Sequence, residues 1–360
     1  MKRYGSLFDA IISTENLIDA AYRASRNKRH RPDIISFNRN LIDNIAAIRH
    51  ELVSGQYQPG EYREFYIYDK KLRKISAAPF RDRVVHHAIC NIIMPLFEKT
   101  FVDTSFANRA GKDTHRAVLL CQSYLKQNKY YVKFDIQKYF PSIDHLILKE
   151  LIRKKIKCNK TLTLIDLIID NSNEQDCPFF YFEGDDLFDP VKRKKGLPIG
   201  NLTSQYFANI YLTPLDHYIL QKLKIRNYMR YVDDFVIFGD DKNQLNRYIH
   251  EIEIFCEQYR MKIHLNKACI RTTRDGISFL GYRTFPYYIR LKKETLIRAG
   301  RRYKKNFTMF QKKLMSSKAF NNSCQAWRGH VLIVTGGELL SERYFRVSNS
   351  LICPNNHRIP

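Results

Sequence analysis

Leu7, Ile11, Ile12, Leu17, Ile18 and Ala21 recur at roughly helical spacing, which predicts an amphipathic helix over residues 4–24. A second helix is predicted from Asn40 to Leu52, stopped by Ser54-Gly55. Residues 62–80 are strand-like, through Tyr62, Phe65, Tyr66, Ile67 and Tyr68 and again from Lys70 to Ile75, with a stop at Pro79. Residues 82–100 and 114–127 return to a helical pattern. Tyr130 to Ile136 reads as a short apolar strand leading to an acid. Residues 145–170 are mostly helical, and 171–195 are polar and loop-rich with a basic end at Lys192-Arg193-Lys194-Lys195. A loop from Gly196 to Gln205 feeds a helix from about Ser204 to Leu223. Met229 to Gly239 reads as two strands around a tight acidic turn, 243–260 as a helix and 262–290 as short strands. From Lys292 onward the pattern is helical and very basic, with five of the eight residues Arg298 to Lys305 carrying positive charge.

Composition narrows the class. The 360 residues are 44% hydrophobic and 13% aromatic, enough for a packed protein of two or three lobes and too much for a disordered one. Lys and Arg number 61 against 36 acids, a net charge of +25, and nucleic acid is the usual partner of such a surplus. The eight cysteines form no Cys-x-x-Cys pair, which argues against a zinc knuckle and suits reduced thiols in a cytoplasm. No apolar run reaches membrane-spanning length, and Met1-Lys2-Arg3-Tyr4 opens no signal-peptide stretch, so a soluble intracellular protein is expected.

Two acidic motifs carry the candidate chemistry. Nucleotidyl transfer needs divalent metals, hence at least two carboxylates brought together. Arg230-Tyr231-Val232-Asp233-Asp234-Phe235-Val236-Ile237-Phe238 sets an Asp-Asp pair between apolar strands, where adjacent like charges are costly without a counter-cation. A solvated turn is the plain alternative. Lys133-Phe134-Asp135-Ile136 sets a lone acid at a strand end, which by itself could be a helix cap. Together, in a chain of charge +25, the two point to a metal-binding pair of strand ends.

Tyr231-Val232-Asp233-Asp234 resembles the central motif of reverse transcriptases. Phe134-Asp135-Ile136-Gln137-Lys138-Tyr139-Phe140-Pro141-Ser142-Ile143-Asp144-His145 resembles the first catalytic palm motif of their bacterial and organellar branch. The resemblance implies that Asp135, Asp233 and Asp234 hold two magnesium ions, with manganese as a substitute, and that the backbone carbonyl of Ile136 adds a ligand. It implies that Phe140 is a steric gate against a ribose 2′-hydroxyl and that Asp144 is structural. Residues 71–89 resemble the first fingers motif, which implies triphosphate contacts from Arg73 and Arg83, with Arg81 a further candidate. Residues 101–115 resemble the second fingers motif, with Ala107-Asn108 and Ala110 departing from its usual form and Arg109 as a template or nucleotide contact. Asn266-Lys267 matches the next motif. Lys267 could serve as a general acid for pyrophosphate, a phosphate-neutralising charge or a structural lysine. Phe279-Leu280-Gly281-Tyr282 resembles a primer-grip turn, and the segment around Trp327 is expected to pack within a thumb.

Gly196-Leu197-Pro198-Ile199-Gly200-Asn201-Leu202-Thr203-Ser204-Gln205 resembles the palm loop that contacts the nascent base pair, which implicates Ile199, Gly200 and Gln205. Group II intron and retron enzymes usually carry Gln-Gly and end in Ser-Pro there. Ile199-Gly200 with Ser204-Gln205 resembles the diversity-generating retroelement enzymes. That resemblance implies an α+β right-hand polymerase fold with a palm bearing a small antiparallel sheet and an α-helical thumb. Expected boundaries are 1–130 for N-terminal helices and fingers, 131–285 for the palm with a finger insertion about 150–195, and 286–360 for the thumb. The implied activity is RNA-directed DNA polymerisation that copies a retroelement template RNA into adenine-mutagenised cDNA. Implied partners are template RNA, RNA/DNA duplex, dNTPs and a basic accessory protein, with no membrane, in the cytoplasm of a bacterium whose own or phage genome encodes the chain. The rivals are a group II intron or retron reverse transcriptase and a non-catalytic RNA-binding module of the same fold.

Overall fold

The computed structural model describes residues 3–335 apart from 70, 174, 176 and 177. The expected thumb beyond 335, with Cys353, and Cys177 therefore lie outside the described residues. In chain order the elements are α1 (Phe8–Ile11), α2 (Thr14–Ser25), α3 (Pro32–Arg39), α4 (Leu41–Ser54), β1 (Arg63–Asp69), β2 (Lys71–Ala77), α5 (Phe80–Glu98), α6 (Thr114–Gln127) and β3 (Tyr130–Asp135). There follow α7 (Tyr139–Ser142), α8 (His145–Arg153), α9 (Asn159–Asp170), α10 (Asp189–Lys192), α11 (Leu202–His217), β4 (Tyr228–Tyr231), β5 (Asp234–Gly239) and α12 (Lys242–Gln258). The chain then runs through β6 (Ile270–Thr272), β7 (Ile277–Phe279), β8 (Tyr282–Thr284), β9 (Ile289–Leu291), α13 (Lys293–Gln311) and α14 (Ser317–Val331).

Local chemistry explains where these differ from expectation. The helix expected over 4–24 is split, because the Ser13 side chain accepts from the Asn16 amide and starts a new helix. A further helix, α3, opens on Pro32 at its first position, a site where the missing N–H costs nothing. Helix α4 ends as expected at Gly55, whose φ of 73° is the left-handed cap conformation. Helix α11 continues as one π-helical turn, Tyr218–Lys222.

Two compact units emerge, each assembled from three stretches of chain. The first comprises Met1–Lys112, Lys133–Ile237 and Asn243–Cys269. Helices α2, α5 and α11 supply its core, with Leu17, Ile89, Ile93 and Leu212 fully buried. β1 and β2 form an antiparallel hairpin, and β4 pairs antiparallel with β5. The second comprises Asp113–Val132, Phe238–Lys242 and Ile270–Pro360. It holds the antiparallel meander β7-β8-β9 and the pair α13 and α14, where Phe310 stacks on buried Phe320 at 5.1 Å between ring centroids. The central sheet has the order β4-β5-β3-β6. In that order β3, whose last residue is Asp135, neighbours β5. Among the described residues no helix is long and apolar enough to cross a membrane, and the six described cysteines are free thiols.

Asp144 anchors the segment that follows β3. It is fully buried, and one oxygen caps α8 by accepting from Leu146 and Ile147 amides at 2.9 and 3.1 Å. The other lies 2.6 Å from Arg260 and 3.6 Å from Arg193. A buried carboxylate so satisfied is a structural group, which is the role expected for it. Asp144→Ala removes the cap and strands two guanidiniums, so an unfolding free energy lower by about 3 kcal/mol is expected, read as a lower urea midpoint.

Candidate active site

The turn between β4 and β5 is a two-residue hairpin loop, with Tyr231 opposite Asp234 and Val232-Asp233 at its tip. Such loops demand positive φ at the first central residue. Val232 supplies it at 57°, a conformation that a β-branched side chain resists. The strain is held by Arg230, whose Nη1 donates to the Val232 carbonyl at 3.0 Å. Arg230 is itself fully buried. Its Nε and Nη2 clasp Asp216 of α11 at 2.7 and 2.6 Å, and Nη1 also meets Asn209 at 3.2 Å. Tyr228 donates a further hydrogen bond to Asp216, at 2.5 Å. Behind the turn, Phe235 stacks on Phe134 of β3 at 4.6 Å.

Asp135 reaches the same region from the neighbouring strand. The chain beyond it is fixed by a second short pairing: the Gln137 amide donates to Lys262 at 2.8 Å, the His264 amide to the Asp135 carbonyl at 3.0 Å, and Ile136 bridges Ile263. That pairing delivers Lys267, whose Nζ sits 2.5 Å from Asp135. His264 Nε2 lies 4.0 Å from the same carboxylate. Lys133, two residues before Asp135, pairs with Asp234 at 3.1 Å. The Asp233 carboxyl is pushed up from 3.8 to about 6, first by burial and then by the charges of Asp234 and Asp135.

The oxygen donors are those that a hard divalent cation takes. As the side chains stand, no three acidic, imidazole or thiol groups among the described residues converge on one point, because Asp135 is turned to Lys267 and Asp234 to Lys133. Ion binding therefore requires the carboxylates to leave their lysines. The repulsion already acting on Asp233 favours that exchange.

The other expected residues fall into two sets. Exposed Arg73, on β2, is close enough for its charge to oppose the upward shift of Asp233. Half-buried Phe140 lies on α7, and its carbonyl accepts from the Leu197 amide at 2.9 Å, tying the Asp135 segment to the glycine loop. The Ile199 carbonyl accepts from the Ser76 amide of β2 at 2.9 Å. Gly200, at φ 128°, would place a Cβ 3.1 Å from Ile75, so the neighbour that requires glycine here is β2. Gln205 is exposed on the first turn of α11. Arg83, by contrast, is engaged with Asp33 at 2.9 Å, and Arg81 is paired with Glu51. Arg109, expected to contact template or nucleotide, is 4% exposed at its side chain. It binds Glu98 and the Val102 and Ser105 carbonyls and so clamps its own loop. That loop lies along β4, with Phe106 donating to the Arg230 carbonyl at 3.0 Å.

The profile of the family described as reverse transcriptase (RNA-dependent DNA polymerase) matches residues 66–284, more than half of the chain. The chain belongs to the reverse transcriptase family. Its mixed architecture with small antiparallel sheets is the reverse transcriptase fold. Protein YkfC of Escherichia coli (strain K12) is 25% identical over 327 residues, 78% of this chain and 83% of that protein. Group II intron-encoded protein LtrA of Lactococcus lactis subsp. cremoris is 29% identical over 182 residues, 50% of this chain and only 28% of LtrA. A solved structure of apo telomerase from Candida Tropicalis gives a TM-score of 0.47 at 13% identity, covering 70% of this chain and 60% of that one.

Sequence reasoning missed Lys133, Asp216 and Arg230 in this reverse transcriptase. Lys133 and Arg230 were visible beside the two motifs, as basic residues inside otherwise apolar strands. Asp216, deep in an apolar helix, was the signal that a buried partner cation existed.

Two outcomes are expected. Between pH 3.8 and about 6 the folded chain keeps a proton on Asp233 that the unfolded chain has lost, so this residue's contribution to stability falls as pH rises through that window. Without divalent ions, Asp233→Asn is therefore expected to melt above wild type at pH 7, with the difference vanishing near pH 4, as scanning calorimetry would show. The second concerns the clasp. Replacing a buried ion pair by apolar residues of similar volume is often neutral for stability, so Arg230→Met with Asp216→Leu is expected to fold. It loses the hold on Val232, and a displacement of catalytic groups by about 1 Å costs about a hundredfold in rate. Single-turnover extension should show that loss, with Arg230→Lys restoring only part of it.

Proposed function

We propose that this chain extends a primer 3′-hydroxyl with deoxynucleotides on an RNA template, using two divalent ions, magnesium or manganese, at Asp135, Asp233 and Asp234. The observation that carries the reading is the placement of Asp135 and the Asp233-Asp234 turn on adjacent strands β3 and β5 of one sheet. When bound, the ions would lower the charge barrier between the hydroxyl, the α-phosphate and the departing pyrophosphate. Lys267, released from Asp135, holds a proton within reach of that pyrophosphate. Arg73 faces the triphosphate, and Phe140 packs where a 2′-hydroxyl would lie. In this reading residues 1–130 carry the fingers, 131–285 the palm and 286 onward the thumb.

Within the family we favour copying of a retroelement's template RNA with errors at adenines, with a basic accessory protein as partner. Ile199-Gly200 and Gln205, in the loop that hydrogen-bonds to β2, support it. The rival is an intron-encoded enzyme, favoured by the 29% identity to LtrA.

Purified protein is supplied with a primed RNA, magnesium and four dNTPs, and the cDNA is deep-sequenced. Errors concentrated at template adenines are expected. Evenly faithful cDNA would move the assignment to the intron-encoded class. Asp233→Ala is expected to cut synthesis by at least about a thousandfold while RNA binding persists. Undiminished synthesis in that variant would remove Asp233 from the metal site.

A further inference from the structure

The chain between α9 and α11 exposes apolar side chains that its fold does not use. Phe179 is 61% exposed, Tyr181 51% and Phe188 60%, and Leu187 and Val191 are equally open. Scattered single apolar residues on a surface are ordinary, but five within thirteen positions are not. The segment is also firmly built. Asp185 accepts from the Phe182 amide at 2.8 Å and pairs with Arg193. Arg193 in turn reaches buried Asp144, at 3.6 Å, and lies over the Phe182 ring. Asp186 accepts from the Phe188 and Asp189 amides at 2.7 and 2.8 Å, which fixes the short α10. The His145 amide donates to the Lys194 carbonyl at 3.1 Å, and the Gly196 amide to Ile143 at 2.8 Å, so the end of the loop is laced to the segment that follows Asp135.

The aromatic rings are interleaved with cations. Lys195 Nζ lies 5.0 Å from the Phe179 ring centroid and 3.3 Å from the Pro178 carbonyl. Lys192 Nζ lies 5.4 Å from the Phe188 centroid. A surface meant for an apolar protein partner would exclude such cations from its centre. Aromatic faces beside ammonium groups suit unpaired nucleotides, whose bases stack on the rings while phosphates meet the lysines. A duplex offers no free base faces, and its grooves are read by shape and by backbone contacts.

We propose that residues 178–195 form a platform for an unpaired stretch of RNA, with bases stacked on Phe179 and Phe188 and phosphates held by Lys192 and Lys195. The platform deepens the reading of this chain as an RNA-templated polymerase, because it supplies a second hold on the template outside the carboxylate site. Its test is independent of synthesis. Fluorescence anisotropy of the full chain, without divalent ions, compares a labelled mixed-sequence single-stranded RNA with a blunt RNA duplex. Phe179→Ala with Phe188→Ala is expected to weaken single-strand binding by about tenfold or more and to leave duplex binding within about twofold, since each stacked base contributes on that order. The rings are solvent-exposed, so the variant should melt with wild type. Phe179→Tyr with Phe188→Tyr should retain affinity, while the Leu pair should not. Unchanged single-strand affinity, an equal loss on duplex, or full retention by the Leu pair would overturn the proposal. Wild type that binds RNA in this pattern yet makes no cDNA would sink the polymerase reading and leave the platform standing.

Discussion

Asp233 is half-buried, and its burial together with the charges of Asp234 and Asp135 makes its ionised form costly, which sets the terms for what surrounds it. Two unit charges 4 Å apart near a protein surface repel by about 4 kcal/mol. A strained left-handed residue such as Val232 adds about 1–3 kcal/mol more. Left to itself, a two-residue turn would relax by swinging its acids apart. It is prevented by a frame of three parts: the buried Arg230–Asp216 clasp, the stacked Phe134 and Phe235, and the loop of residues 101–112 running along the outer edge of β4. Lys133 and Lys267 then neutralise two of the acids.

The frame is costly in its own right. Removing Arg230 and Asp216 from water carries a desolvation penalty that their attraction only roughly repays. Stability alone would be served as well by leucine and methionine. What the ion pair adds is direction, because a planar guanidinium with five donors can hold a carboxylate, an amide side chain and a backbone carbonyl at once. Arg109 is used in the same way one layer out, closing its loop through Glu98 and two carbonyls. Arg83 and Arg109, which looked like nucleic-acid contacts, thus turn inward, while Arg73 stays exposed.

Where sequence reasoning succeeded, the chemistry was local. Helices α5, α6 and α12 and the strands flanking Asp233-Asp234 follow from apolar spacing, and the two acidic motifs are contiguous runs whose neighbours have one plausible geometry. It failed where partners are distant in the chain. Nothing near Arg83 announces Asp33, fifty residues earlier, and nothing near Gly200 announces Ile75. The break at Ser13 comes from a single capping side chain inside an apolar pattern that is helical on both sides. The twisted path of residues 171–195 was readable only as polar loop, since its order comes from Arg193 reaching Asp185 and Asp144 rather than from any period.

The interleaving of the two units has a consequence for biogenesis. The first unit draws on residues as late as Cys269, and the second on residues as early as Asp113. A ribosome releasing this chain from its N-terminus cannot complete the first unit before parts of the second have emerged, as it can for proteins whose domains follow one another. The helices up to α5 can gather early, but the strand bearing Asp135 must wait, unpaired on one side or the other, until more than half of the polypeptide has emerged. During that interval the exposed apolar strand is a template for wrong pairings. The enzyme's yield in a cell should then depend on the rate of translation and on chaperone supply as much as on the stability of the finished fold.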